Sequence, residues 1–96
     1  MRIEKLNWRL DRIAHIARHG IDTDEVEEVV FDDEGHIIRR GPRSEKDPEH
    51  YIYYFYGKTS DGRYIYIVLL DEGQGVALPI TARDMTDRER RYYERG

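Results

Sequence analysis

The chain has 96 residues, which is room for one small domain and one core. It has no cysteine, excluding disulfides and thiolate metal sites; no apolar run comes near the ~18 residues a membrane span needs, and no signal peptide is expected. A cytoplasmic protein with no membrane contact is therefore expected. The net charge of −4 argues against a generally basic nucleic-acid binder. The charge is uneven, however: residues 1–50 carry 9 bases and 13 acids, residues 51–96 carry 7 and 7. An anion-binding surface would have to be local and built from the second half.

Leu6, Leu10, Ile13 and Ala17 are spaced 4, 3 and 4 apart, the stripe of an amphipathic helix, with Gly20 as the residue that ends it. Trp8, Arg12, His15 and His19 repeat that spacing on the opposite face and read as a surface for a partner. Asp22 can cap a second helix with Glu25 as its reciprocal partner, while Ile21 and Val26 stand at the hydrophobic-staple positions. Val26, Val29 and Val30 form its inner face. The segment from Asp22 to Glu34 holds eight acids and no base.

His36–Arg40 reads as a short strand and 41–49, with two prolines, as a loop. Tyr51–Tyr56 and Tyr64–Leu70 are strands by their aromatic and β-branched content, joined through the Asp61-Gly62 hairpin signal. A turn over Asp71–Gly75 leads into a further strand, Val76–Ala82. Pro79 cannot donate to a ladder, so that strand should lie at an edge or beside a bulge. Thr86 and Glu89 then have the spacing of a capping box for a short cationic helix. The expectation is an α+β domain: two N-terminal helices, an antiparallel meander of three to four strands, a short C-terminal helix, and all helices on one face.

Alternation assigns Ile65, Ile67 and Leu69 to the face under the helices. Val76, Leu78, Ile80 and Ala82 should point together, leaving Ala77, Thr81 and Arg83 with the tyrosines on the other face. Six of the eight tyrosines lie between residues 51 and 66. Aromatics and cations on one sheet face suit the stacking of unpaired bases.

These residues also carry a family resemblance. His19-Gly20, the acidic helix from Glu25 to Val29, Tyr56-Gly57-Lys58-Thr59, Asp61-Gly62-Arg63, Thr81-Ala82-Arg83 and Glu89-Arg90-Arg91-Tyr92 follow one another as in the BrnT family of bacterial type II toxins. The resemblance runs from about Trp8 to Tyr92. It implies a RelE-like fold, metal-independent endoribonuclease activity without a cofactor, neutralisation by a small DNA-binding antitoxin of the BrnA kind, and repression of their shared operon by the complex. Asp84 and His50 stand where the family usually has basic residues.

Cleavage of RNA by its own 2′-hydroxyl requires removal of a proton, compensation of phosphorane charge and protonation of the leaving oxygen. Arginine suits the middle task because its planar fork grips two phosphate oxygens. Arg83 and Arg63, with Lys58 beside them, are the expected clamp. The plainer reading makes Arg63 and Lys58 solvated turn charges. Glu89 would act as a base or hold Arg83 in place, beyond its capping role. Tyr56 and Tyr66 are candidates for stacking, or for proton donation if adjacent cations lower their pKa. His15 and His19 stand at i, i+4, but no HExxH-type glutamate accompanies them, so no metal site is expected. The resemblance makes His19 a neighbour of the active site. Two non-nuclease alternatives remain: a non-catalytic protein-binding module of the same fold, and a structural homodimer.

Overall fold

A computed structural model describes residues 2–43 and 50–95. The elements in chain order are β1 (Lys5–Leu6), α1 (Leu10–Ala17), α2 (Thr23–Glu27) running into a π-helical turn (Glu28–Asp32), β2 (Ile37–Arg43), β3 (Tyr51–Lys58), β4 (Tyr64–Gly73), β5 (Val76–Asp84) and α3 (Asp87–Arg95). The five strands form one mixed sheet in the order β1-β5-β4-β3-β2, with β1 parallel to β5 and the rest an antiparallel meander. The α+β class stands. No described helix is long and apolar enough to cross a membrane.

Local signals placed the helix ends correctly. Gly20, at φ +74°, closes α1 in a Schellman motif, with Ile21 N–H bonding Ile16 C=O and Gly20 N–H bonding Ala17 C=O. Asp22 and Glu25 form the expected reciprocal capping box, and Ile21 and Val26 are both buried. Thr86 and Glu89 form the second box at the start of α3. The β4–β5 turn is tighter than expected. Gln74 and Gly75, both at positive φ, connect strands that have grown into the Asp71–Gly75 segment.

Several expectations fail for reasons that lie outside the local sequence. Leu6 is not helical; it pairs as β1 beside Ala77 and is buried there. The inner face of α1 is carried by Ile16, fully buried, whereas Leu10 is 84% exposed. The strand expected over His36–Arg40 runs to Arg43, so 41–43 are not loop; the remainder of that expected loop, 44–49, lies outside the described residues. A register shift in β5 leaves Ile80 without a partner between Val68↔Thr81 and Leu69↔Pro79. The bulge sits beside Pro79, where a missing N–H costs no ladder bond. It also flips the strand's alternation: Ala77, Pro79 and Ala82 go into the core, while Leu78 pairs with Leu70 on the other face.

The core lies between one sheet face and α1–α2. Phe55, Ile65, Ile67, Leu69, Ala77 and Ala82 from the sheet meet Ile16, Ile21, Val26, Val29 and Val30 from the helices. The expected aliphatic trio of β4 is therefore inside. Unlike the first two helices, α3 lies over the opposite, tyrosine-bearing face, where Tyr92 meets Tyr56 edge to face at 4.9 Å.

Candidate functional site

The two capping-box glutamates each hold an arginine, and the two arginines occupy opposite faces of the sheet. On the tyrosine face Arg83 pairs with Tyr66 across β4–β5, and its guanidinium carbon stands 4.3 Å from the Tyr66 ring centroid. Glu89 accepts from Arg83 Nη1 and Nη2 at 2.8 and 2.9 Å, and the Asp84 carbonyl takes the second Nη1 hydrogen at 3.0 Å. Among the described residues, the Nε–H and the remaining Nη2–H meet no acceptor. One edge of the guanidinium is therefore fixed and the other is left as a bidentate donor.

This pairing settles the role of Glu89 within the fold. Its hydrogen bond from Arg83, helped by the Thr86 amide, holds its pKa below the ordinary carboxylate value. Glu89 is thus a poor base and a good positioner. Arg83 in turn is held more firmly protonated by Glu89.

Arg63 does not join Arg83. Alternation along β4 sends it to the helical face, where its donors are nearly all used. Asp84 accepts from Nε at 2.7 Å and Nη2 at 3.2 Å, the Gly20 carbonyl accepts from Nη1 at 2.8 Å, and Glu25 accepts from Nη1 at 3.1 Å. Its pKa is raised, first by the Asp84 hydrogen bond. The expected clamp of Arg63 with Arg83 is therefore corrected: Arg63 staples the α1–α2 junction to the end of β5. Asp84 is the residue that captures it. Lys58 leaves the same hairpin toward the tyrosine face, with its ammonium 5.4 Å from the Tyr64 ring centroid.

The tyrosine face is partly covered. Tyr56, expected to stack bases, is only 6% exposed beneath Tyr92, so it is removed from the binding set. Tyr54 and Tyr66 remain half-buried side by side, their rings stacked at 6.0 Å and 20°. Burial, then the neighbouring Tyr56 and Tyr54, push the Tyr66 pKa up to about 12, opposite to the lowering that proton donation would need. Arg39 reaches the rim with its guanidinium 5.8 Å from the Tyr92 ring centroid.

The stripe expected to face a partner instead packs on the chain itself. Trp8 lies against the core and donates its indole N–H to Glu27 at 2.8 Å. Arg12 reaches the Ile80 carbonyl at 3.4 Å, and His15 Nε2 meets Thr81 Oγ1 at 3.0 Å. Helix α1 thus advances along the edge of β5 in the same direction as the strand, and His19 follows His15 edge to face at 5.4 Å. His19 comes between His15, level with Thr81, and Gly20, which Arg63 ties to Asp84. His15 therefore borders β5 two residues before Arg83, with His19 packed on its outer side. Among the described residues, no group of three or more metal-ligating side chains is present. Tyr54 and His15 are the additions to the expected site; the period-2 relation of Tyr54 to Tyr56 and the helical pairing of His15 with His19 were the available signals.

No protein-family model and no curated protein matches the chain.

Proposed function

We propose that the protein acts on single-stranded RNA through the tyrosine face, as a BrnT-like endoribonuclease whose phosphate clamp is built on Arg83 without Arg63. One observation carries this reading: a guanidinium lies on the Tyr66 ring with Glu89 fixing one edge and the Nε edge open. That edge is the fork that fits two phosphate oxygens. Tyr54 and Tyr66 offer adjacent ring faces for unpaired bases. Imidazole is the side chain best suited to exchange protons near neutral pH, so His15 and His19 are the groups to take the 2′-hydroxyl proton and return one to the leaving 5′-oxygen. Arg83 would offset the charge building on the phosphorane. The RelE-like arrangement and a BrnA-like antitoxin laid over the part of this face that α3 leaves open belong to the same proposal.

The dispersal of the cations favours a second reading, a non-catalytic protein-binding module. Arg63 is turned to the other face and held by Asp84, Glu25 and the Gly20 carbonyl, so the multi-arginine clamp is missing. Purified protein incubated at substoichiometric amounts with single-stranded RNA in EDTA separates the two. Degradation that Arg83→Ala abolishes supports the nuclease. Intact RNA together with tight capture of a small antitoxin-like protein supports the module.

A further inference from the structure

The face formed by α2 and the π-helical turn has no place in the scheme above. Phe31, 42% exposed, is one of few large apolar side chains left in solvent among the described residues. It separates two hollows. On one side is a cleft of about 850 Å³ bordered by Asp24, Glu27, Glu28, Asp32 and Asp33. On the other is a recess floored by the apolar side chains of Ile3, Val30, Ile38 and Phe55, with Arg2 and His36 also lining it. The wide turn that presents Phe31 is closed by the Asp33 N–H bonding the Glu28 carbonyl, the i→i+5 pattern of a π-helix. Such turns recur where a backbone is shaped for function rather than for stability.

The carboxylates around Phe31 are held in place without being neutralised. Glu27 accepts from the Trp8 indole, Glu28 from the Ser60 amide, and Asp33 from the Lys58 amide, the Gly35 amide and the Tyr93 hydroxyl. All of these donors are uncharged. Among the described residues no cation pairs with any of the five acids, and Lys58, which borders the cleft, keeps its ammonium over Tyr64. Nor do these acids converge as a metal-ligating group. The charge is spread along a cleft that the Phe31 ridge divides from a largely apolar recess, which matches a chain segment laid across the ridge better than an ion.

We propose that the Phe31 ridge is a docking surface for a partner protein, and that the docked segment carries a large apolar side chain flanked by lysines or arginines. The apolar side chain enters the recess beside Phe31, and the flanking cations lie along the cleft. Charge complementarity selects this occupant: an acidic or neutral segment would leave five like charges uncompensated. The inference does not depend on the tyrosine face being a nuclease site.

The test is an NMR titration of the 15N-labelled protein with two short synthetic peptides that share a central Leu-Phe pair, one flanked by arginines and one by glutamates. The arginine peptide should give saturable shifts concentrated at the amides of residues 27–33 and Ser60. Phe31→Ser should weaken its binding roughly fivefold or more, as expected for loss of a central aromatic anchor. Asp24→Asn with Asp32→Asn, both at exposed positions, should weaken it independently, as should raising salt from about 50 to about 300 mM. Equal binding of the glutamate peptide, shifts centred elsewhere, or indifference to both variants would overturn the proposal. Shifts of the same amides on protein dilution, without peptide, would assign the surface to a second copy and overturn it too.

Discussion

Arg63→Ala is the substitution that most sharply separates a structural from a catalytic arginine. Removal of the guanidinium leaves the Gly20 carbonyl, at the end of α1, without its 2.8 Å donor. Because that bond is solvent-exposed it contributes about 1–1.5 kcal/mol net, at or below the low end for charged donors. The pair with Glu25, whose side chains are 31% and 25% exposed, adds about 0.5–1 kcal/mol. The pair with Asp84, itself 60% exposed, adds at most about 0.5 kcal/mol after solvent screening, short as it is. The sum is about 2 kcal/mol, which for a domain of this size lowers Tm by about 8–16 °C. Urea unfolding followed by Trp8 fluorescence measures it directly, since that indole packs against the core near the stapled junction. A loss under about 0.5 kcal/mol at unchanged m-value would refute the staple. RNA cleavage by the folded variant, measured well below its Tm, should remain; its loss there would return Arg63 to the catalytic set.

Other perturbations follow from the same geometry. Arg83→Ala should abolish RNA cleavage while costing under about 1 kcal/mol of stability, because the Glu89 pair is partly solvent-screened; Arg83→Lys should rescue folding but not activity, since an ammonium offers no bidentate edge. Glu89 and Asp84 both have pKa values held below their ordinary ones by arginine hydrogen bonds. Their contribution to stability is therefore complete above the unfolded-state values near ~4 and is lost as pH falls through the folded ones. Urea midpoints should fall between pH 5 and about pH 3, and the fall should be shallower in Glu89→Gln; equal slopes would sink this assignment. Gly57→Ala should destabilise by about 1–3 kcal/mol, because its Cβ would overlap Val29 Cγ1 and lie 2.9 Å from Asp33 Oδ2. Adding Val29→Ala should recover part of that loss in a double-mutant cycle, and strict additivity would contradict it.

Much of the fold was legible wherever structure is decided within a few residues. Both capping boxes, the Gly20 terminator and the Asp61-Gly62 hairpin are local hydrogen-bond or steric solutions, and each formed where its residues stand. The period-2 trio Ile65, Ile67 and Leu69 likewise determined which face of β4 would be buried. Arg83's position at a strand–helix junction followed from the same local rules.

The tertiary structure decided which surfaces those elements would spend on one another. Leu6 became a strand because Ala77 offered it a free edge, which took it out of the α1 stripe and left Leu10 in solvent. The bulge at Ile80 reversed the faces of β5 upstream of Thr81, and α3 crossed to the tyrosine side and buried Tyr56. Arg63 meets Glu25 across 38 positions of sequence and Asp84 across 21. Hydrogen-bond caps and alternation are properties of adjacent residues and can be read in order along the chain. Whether a cation faces a phosphate or a carboxylate depends on chain closure, and that is fixed only when distant segments meet.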